Sequence, residues 1–409
     1  MLLRVTDGAT TITLHNDGGS VSSGLIGARY FPIAGDGATA TETIRVAYSG
    51  ASSDILTTIR EVKRLLSDAK IRQTETGNNR VYLEYQINAS DSVYRSEIIN
   101  GRDDWGDSKG LRQIYNTVGA GETAFIIERL DYWEGPNTTL TNATIRNGNV
   151  SPYNALSLSA IPGSLPTPLA ITVENGSGAT LDARDFYFNV DAHAGLTGNQ
   201  HLLIPSVPTA NWTGSITHNS ILWALPMSTT VSSKLAGKSI NLIAAFSSIP
   251  TGCYIRAGLY TLFGGVYAPL NMASEIYSPG GKTIFDLGTL EIPNSAGGGL
   301  VVVISLYAPS TNSATLSFAQ IAPSLNAMRL ITAYTWAVGE KYTHDPVVDS
   351  AFFTSGGVNQ MIVRRSGGPL LAYPGRTNRL HMLLAEYPSF SPNRQSIVSV
   401  SCRPRRQTI

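Results

Sequence analysis

Six histidines, at positions 15, 193, 201, 218, 344 and 381, are scattered along the 409 residues. Two of them stand close to a carboxylate. His344 precedes Asp345, and Asp191 lies two residues before His193; each pair offers two metal ligands, but neither has a third nearby in sequence, so structural roles are expected. Asp103 and Asp104, just ahead of Trp105, have the proximity that acid–base cleavage of a glycoside uses. They fall in the polar stretch Gly101–Gly110, which reads as a solvated hairpin loop. A P-loop, a G-x-G-x-x-G turn, a G-x-S-x-G elbow and an H-E-x-x-H pair are all missing, and the glycine run Gly297–Gly299 lacks the lysine and following helix that phosphate binding needs. Cys253 and Cys402 form no C-x-x-C pair, which argues against a cysteine zinc site or a disulfide framework. The reading is a chain without catalytic machinery, metal or cofactor.

Aromatic side chains are the other groups that could act on a ligand, because a flat apolar face matches the C–H patch of a sugar ring. Trp212, Trp223, Tyr254, Tyr260, Tyr267, Tyr277 and Trp336 are spread through the middle and later chain. Trp223 sits inside an apolar strand pattern and is expected in the core. Trp212, in the loop-like Thr209–Gly214, is expected to be exposed, and Trp212, Tyr260 and Trp336 are the candidate carbohydrate-binding residues. Arg403, Arg405 and Arg406 crowd the carboxyl end, yet the formal net charge is only +1 and charged residues make up 14% of the chain. That balance gives no footprint for nucleic acid. These arginines, with Arg60 and Arg64, are candidates for contacts with a neighbouring subunit.

The elements that must position these residues are mostly strands. The exception is Ser53–Lys70, where Ile55, Ile59, Val62, Leu66 and Ala69 recur at helical spacing and Arg60, Glu61, Arg64 and Asp68 fall opposite. Ser53 is placed to cap this helix, and Asp54 puts negative charge in its first turn. So narrow an apolar stripe needs a sheet to cover it. The flanks supply one, since Thr43–Ser49 and Val81–Asn88 alternate with period two. From His201 to Ser350 the chain is a run of short strands punctuated by Gly and Pro, with no helix of useful length, and reads as an all-β sandwich. Thr138–Ser157 is weakly patterned and reads as a linker or an edge. Pro374-Gly375 occupies the central positions of a type II turn. The amino terminus lacks the pattern of a signal peptide, and no apolar run approaches membrane-spanning length.

Two sets of motifs resemble the distal tail (Dit) proteins of bacteriophages with long, non-contractile tails. One is the helix Asp54–Lys70 followed by Val93-Tyr94-Arg95-Ser96-Glu97-Ile98 and Glu128-Arg129-Leu130-Asp131-Tyr132-Trp133-Glu134-Gly135. The other joins Thr167-Pro168-Leu169-Ala170-Ile171-Thr172-Val173 to Pro374-Gly375-x-x-Asn378-x-Leu380 and the closing Arg403-Pro404-Arg405. The resemblance implies a mainly β chain. Its parts would be a helix-bearing β-sandwich belt domain over residues 1–149 and a galectin-like β-sandwich from residues 150–200 and 351–409. An inserted β-sandwich, like a jelly roll or carbohydrate-binding module, would occupy residues 201–350. It further implies a structural virion protein, assembled in the host cytoplasm as a homo-oligomeric ring, a hexamer, at the distal end of the tail. Its partners would be the tail tube protein and the tail-tip protein. The alternative is a sugar-binding adhesin in which the inserted sandwich meets a host surface glycan.

Overall fold

The computed structural model describes residues 1–33, 37–72, 80–103, 121–148, 153–192, 194–217, 220–279, 282–294, 299–322, 326–386 and 390–409. The protein is mainly β and divides into two compact units. The first comprises Met1–Thr138, Pro162–Leu165 and Arg403–Ile409; the second comprises Thr139–Ile161 and Pro166–Cys402.

In the first unit, strands run across one sheet in the order Thr11–Asn16, Leu2–Thr6, Tyr82–Gln86, Tyr94–Asp103, Gly121–Leu130, Thr39–Tyr48 and Leu25–Arg29. The sheet curls until its two end strands meet, where Ala28 N donates to His15 Nδ1 (3.2 Å) and Ser22 N to Thr13 O (2.9 Å). No backbone ladder joins these two strands among the described residues, so the sheet is nearly closed. The long helix spans Ser52–Arg72 and buries Ile55, Ile59, Val62, Leu66 and Ala69 in the sheet's core beside Leu3, Leu83, Phe125 and Trp133. The helical stripe is thus located correctly, although the helix starts before Ser53, which lies inside it. Asp54 accepts from Ser23 Oγ (3.1 Å), and the basic Lys70 and Arg72 occupy the last turn, where the helix dipole favours them.

The second unit is built in layers. A sandwich packs the strands Ala155–Ser157, Arg379–Glu386, Leu181–Asp191 and Ala327–Trp336 against Ser350–Ser355, Lys341–Asp345, Thr167–Asn175, Gln395–Cys402 and Thr138–Arg146. Strand Val358–Gly367 turns the corner: its first half pairs with Ala351–Ser355 and its second half with Met328–Ile331. Between the layers lies a core of Phe186, Phe188, Trp336, Tyr342, Val398, Val400 and their neighbours. The weakly patterned Thr138–Arg146 and Ala155–Ser157 form the two ends of the strand order, which is the edge role.

The insertion is a hairpin excursion from this sandwich. It leaves after Asp191 and returns at Asn326, where Val190 N donates to Asn326 O (3.0 Å) and Asn189 faces Ala327 across the ladder. Strands Ala327–Trp336 and Lys341–Asp345, assigned by sequence to the inserted stretch 201–350, pair instead with Leu181–Asp191 and Thr167–Asn175 of the carrier sandwich. The terminal Arg403–Ile409, expected in the second sandwich, belongs to the first unit, because Arg405–Arg406 pairs antiparallel with Trp133–Glu134.

Within the insertion, one sheet contains Ser239–Ser248, Ile284–Glu291 and Asn312–Ala322, and the other Ile221–Pro226, Leu300–Tyr307, Tyr254–Phe263 and Val266–Met272. Trp223, Phe246, Phe285, Ile255 and Ile304 fill the space between them. One short helix, Thr229–Leu235, lies in this stretch, where the sequence leads one to expect no helix of useful length. Its β-branched start hid it, but Ser228 Oγ caps it by accepting from Val231 N. The first sheet is covered on both faces: Ile243, Ala245, Ile284 and Phe318 pack outward onto Tyr187, Leu383, Ala385 and Phe390 of the carrier. This double burial explains unbroken apolar runs such as Leu242-Ile243-Ala244-Ala245-Phe246.

Candidate functional site

The nominated aromatics separate when the strands are placed. Trp212 is 7% exposed. Its segment Thr209–Trp212 is a strand paired with Asn312–Thr315, and its indole donates to Ser310 O (2.8 Å). Trp336 is 0% exposed, edge-on to Phe186 (ring centroids 5.2 Å), and donates to Glu340 O (2.8 Å) in the carrier sandwich. Neither indole has a face to offer a sugar, which corrects the expectation for both. Trp223 is in the core, as its apolar surroundings in sequence require.

Tyr260 leads to a surface the sequence reading did not assemble. Tyr254, Arg256, Gly258 and Tyr260 alternate along Tyr254–Phe263, so all four lie on the face of that strand opposite the core residues Ile255, Ala257 and Leu259. A Cβ on Gly258 would lie 2.7 Å from the Tyr260 ring and 2.4 Å from Met272 Sδ, so the absent side chain is what lets the half-buried ring approach. In register across three strands stand Tyr277, Tyr254 and Tyr307. Their ring centroids are 5.2 and 6.0 Å apart, and Tyr254 and Tyr277 are 39% and 49% exposed. Period-two alternation marks the strand's face; the cross-strand register that makes a row is not local information.

The nominated arginines are engaged inside the first unit. Arg60 and Arg64 lie on the exposed helix face. Arg64 bonds Asp68 (2.7 Å) and Glu61 (3.0 Å) and stands 3.7 Å from Asp7. Arg405 stacks over Tyr132 (4.0 Å) and reaches Glu134 (3.4 Å), Arg406 lies over Tyr94 (5.2 Å), and Arg403 donates to Gly135 O (3.4 Å). Burial, opposed by Arg405, pushes the Tyr132 hydroxyl up to about 12. The terminal arginines therefore pin a strand of their own unit.

Two buried polar groupings escaped the sequence reading. Arg129 is fully buried and makes a forked pair with Glu42 (2.6 and 2.9 Å), which also accepts from Tyr30 and from Ile33 N (2.8 Å). The guanidinium closes the set by donating to Ile33 O (2.8 Å) and lying over Trp133 (4.4 Å). In the second unit, His201 Nε2 bonds Asn154 Oδ1 (2.7 Å), Asn154 donates to Gln320 Oε1, and the His381 ring stands edge-on to His201 (4.4 Å). Burial first, then the Arg379 charge, holds the His381 pKa down to about 3; His201 is lowered by burial, by His381 and by Arg379.

His344 is buried, 3.7 Å from Asp349. Among the described residues no three His, Cys, Asp or Glu side chains are grouped to hold a metal ion. His193, His218, Asp104 and Trp105 lie outside the described residues, as does the side chain of Asp103. No described helix is long and apolar enough to cross a membrane.

Within each unit the distant motif segments meet. Thr167-Pro168 pairs with Leu371-Ala372 beside the Pro374-Gly375 turn, and Leu169–Asn175 pairs with Ser396–Cys402. Gly375 has φ +68°, which the third position of a type II turn requires. Buried Asn378 ties that turn by accepting from Tyr373 N (2.8 Å) and donating to Tyr373 O (2.8 Å) and Arg376 O (3.1 Å). In the first unit, Trp133-Glu134 pairs with Arg405-Arg406.

No family model matches the chain, and no curated protein matches it. Among solved structures it is similar to the Dit protein (gp 19.1) of phage SPP1, described as a paradigm of the hub adsorption apparatus in phages infecting Gram-positive bacteria. That alignment has 10% identity over 99% of both chains and a TM-score of 0.31. It is also similar to a chain of the phage P2 baseplate in its activated conformation, with 8% identity over 100% of this chain and 99% of that one, and a TM-score of 0.28. The VP2 protein of infectious bursal disease virus aligns with 66% of this chain and 78% of its own, at 9% identity and a TM-score of 0.20.

Proposed function

We propose that the chain is a structural, non-catalytic virion protein of a bacteriophage tail. It forms a homo-oligomeric ring, a hexamer, at the distal end and joins the tail tube to the host-recognition tip. The observation that carries this reading is the meeting of the quoted motifs. Thr167-Pro168 and the Pro374–Asn378 turn are some two hundred residues apart in sequence, yet they occupy neighbouring positions in one sandwich. The insertion that separates them is a self-contained excursion, which a belt-and-sandwich plan accommodates without altering either part. A nearly closed sheet with a helix across it suits a component that must present a rigid lateral surface in many copies. Light scattering on the purified protein, with negative-stain images, tests this: rings of a single closed symmetry are expected, and a monomer at all concentrations would remove the proposal.

The second reading, a glycan-binding role for the insertion, is favoured by the Tyr277–Tyr254–Tyr307 row. Tyr254→Ala is expected to reduce binding on a glycan array and adsorption to host cells while leaving ring formation intact. Unchanged adsorption would leave the insertion as a spacer.

A further inference from the structure

Strands Tyr254–Phe263 and Val266–Met272 form a hairpin at one edge of a sheet of the insertion, and its turn is Gly264-Gly265. Both glycines have positive φ (+58° and +81°), as the two central positions of a type I′ turn require. A Cβ on either would meet nothing within 4 Å, so the turn stands in open space. Successive residues of a strand point to opposite faces, and a strand lying on a core hides every second one. Here Leu262 and Phe263, neighbours in sequence, are 43% and 87% exposed, and Val266 across the turn is 68% exposed. The end of the hairpin therefore projects past the core that buries Ile255, Ala257 and Leu259. A convex apolar tip has no groove to offer a ligand; it has to enter something.

The order of side chains behind the tip shows what that is. From Ala257 to Ser274 the chain carries no charged residue. Leu262, Phe263 and Val266 lead. Tyr267, in register with Leu262, and Tyr260, three residues behind Phe263, come next, and both are half-buried. Charges come last. Arg256 is seven residues behind Phe263, and Lys238 and Glu291, one of each sign, share a recess with Leu270, four residues behind Val266. At about 3.3 Å per residue, the two tyrosines lie within about 10 Å of the tip and Arg256 about 23 Å from it. Apolar, then aromatic with a polar end, then charged is the polarity gradient of a bilayer surface, from acyl chains through headgroups to water. A pocket on another protein demands no such gradient.

We propose that this hairpin tip dips into the surface of a phospholipid bilayer. Leu262, Phe263 and Val266 enter the outer acyl chains, and Tyr260 and Tyr267 sit at headgroup level. The contact is with one leaflet and is not a span. Lacking local charge, it does not depend on anionic lipid. It goes beyond the tail reading and does not rest on it; a ring would only multiply the single contact.

The test is flotation of the full chain with phosphatidylcholine vesicles and with vesicles that also contain phosphatidylglycerol. Binding to both is expected, and it should persist in high salt, which would screen a contact driven by charge. Phe263→Asp, at a position exposed enough to leave folding intact, is expected to lower the partition coefficient at least about tenfold. Val358→Asp is the matched control. Val358 is also exposed and follows a Gly-Gly turn, but it lies on the carrier sandwich beside Asn359 and Gln360, and its replacement should change nothing. Phe263→Trp places an indole at the tip, and brominated acyl chains should quench its fluorescence beyond that of wild type. Failure to bind either kind of vesicle would overturn the proposal and leave the tip to a protein partner. Binding that needs the anionic lipid and vanishes in high salt, or that survives Phe263→Asp, would overturn it as well.

Discussion

Acidification should loosen the second unit through His381, and the size of the effect follows from its burial. The ring is fully buried, neither ring nitrogen makes a hydrogen bond, and burial together with the Arg379 charge depresses its pKa from 6.5 to about 3. Arg379 is itself set against Asp191. In the unfolded chain this histidine takes up a proton as the pH falls through 6.5, while in the folded chain it stays neutral until about 3. The unfolded state therefore binds more protons throughout that window, and stability falls as the pH drops. Each pH unit costs about 1.4 kcal/mol, so at pH 4.5 the loss from His381 alone is about 2.7 kcal/mol. His201 is shifted in the same direction and adds to it. Replacing His381 with Leu removes the titration without a charged substitute. Urea unfolding followed by tryptophan fluorescence at pH 7.5 and pH 4.5, for wild type and His381→Leu, isolates the term, because carboxylate contributions cancel in the comparison. The variant's disadvantage at pH 7.5 should shrink by about 2.7 kcal/mol at pH 4.5. Parallel pH dependence in the two proteins would refute the reasoning.

Other perturbations probe the scaffold. Glu42→Leu strands the buried Arg129 guanidinium and should destabilise the first unit by about 3–5 kcal/mol, whereas Glu42→Leu with Arg129→Met should recover much of that in urea titrations. Ile59→Asp puts a charge in the helix–sheet core and should abolish the native circular dichroism of the first unit; a normally folded variant would overturn the packing described for that stripe. Joining Asp191 to Asn326 by a two-residue turn should leave a carrier sandwich that still unfolds cooperatively. Replacing residues 201–350 instead removes strands Ala327–Trp336 and Lys341–Asp345 and should yield aggregated protein by size-exclusion chromatography.

By itself the sequence determined the elements whose burial is written locally. The 3.6-residue recurrence of Ile55, Ile59, Val62 and Leu66 marked the helix, and Asn378 and Gly375 sit in the turn their types favour. Leu300–Tyr307 was legible as a buried strand from its apolar run. Periodicity reports which side of a strand is covered, but not by what. Hence Ala327–Trp336 could be read as a strand yet assigned to the wrong sandwich, because its partner, Leu181–Asp191, lies across the whole insertion. Trp212 was read as a loop residue because its short strand is defined only by pairing with Asn312–Thr315. The terminal arginines took their role from Glu134, Tyr132 and Tyr94, far away in sequence. The tyrosine row and the His201–His381 contact likewise exist only through register and layer stacking. Those depend on pairing between segments that are not neighbours in sequence, and no local pattern of residue types encodes them.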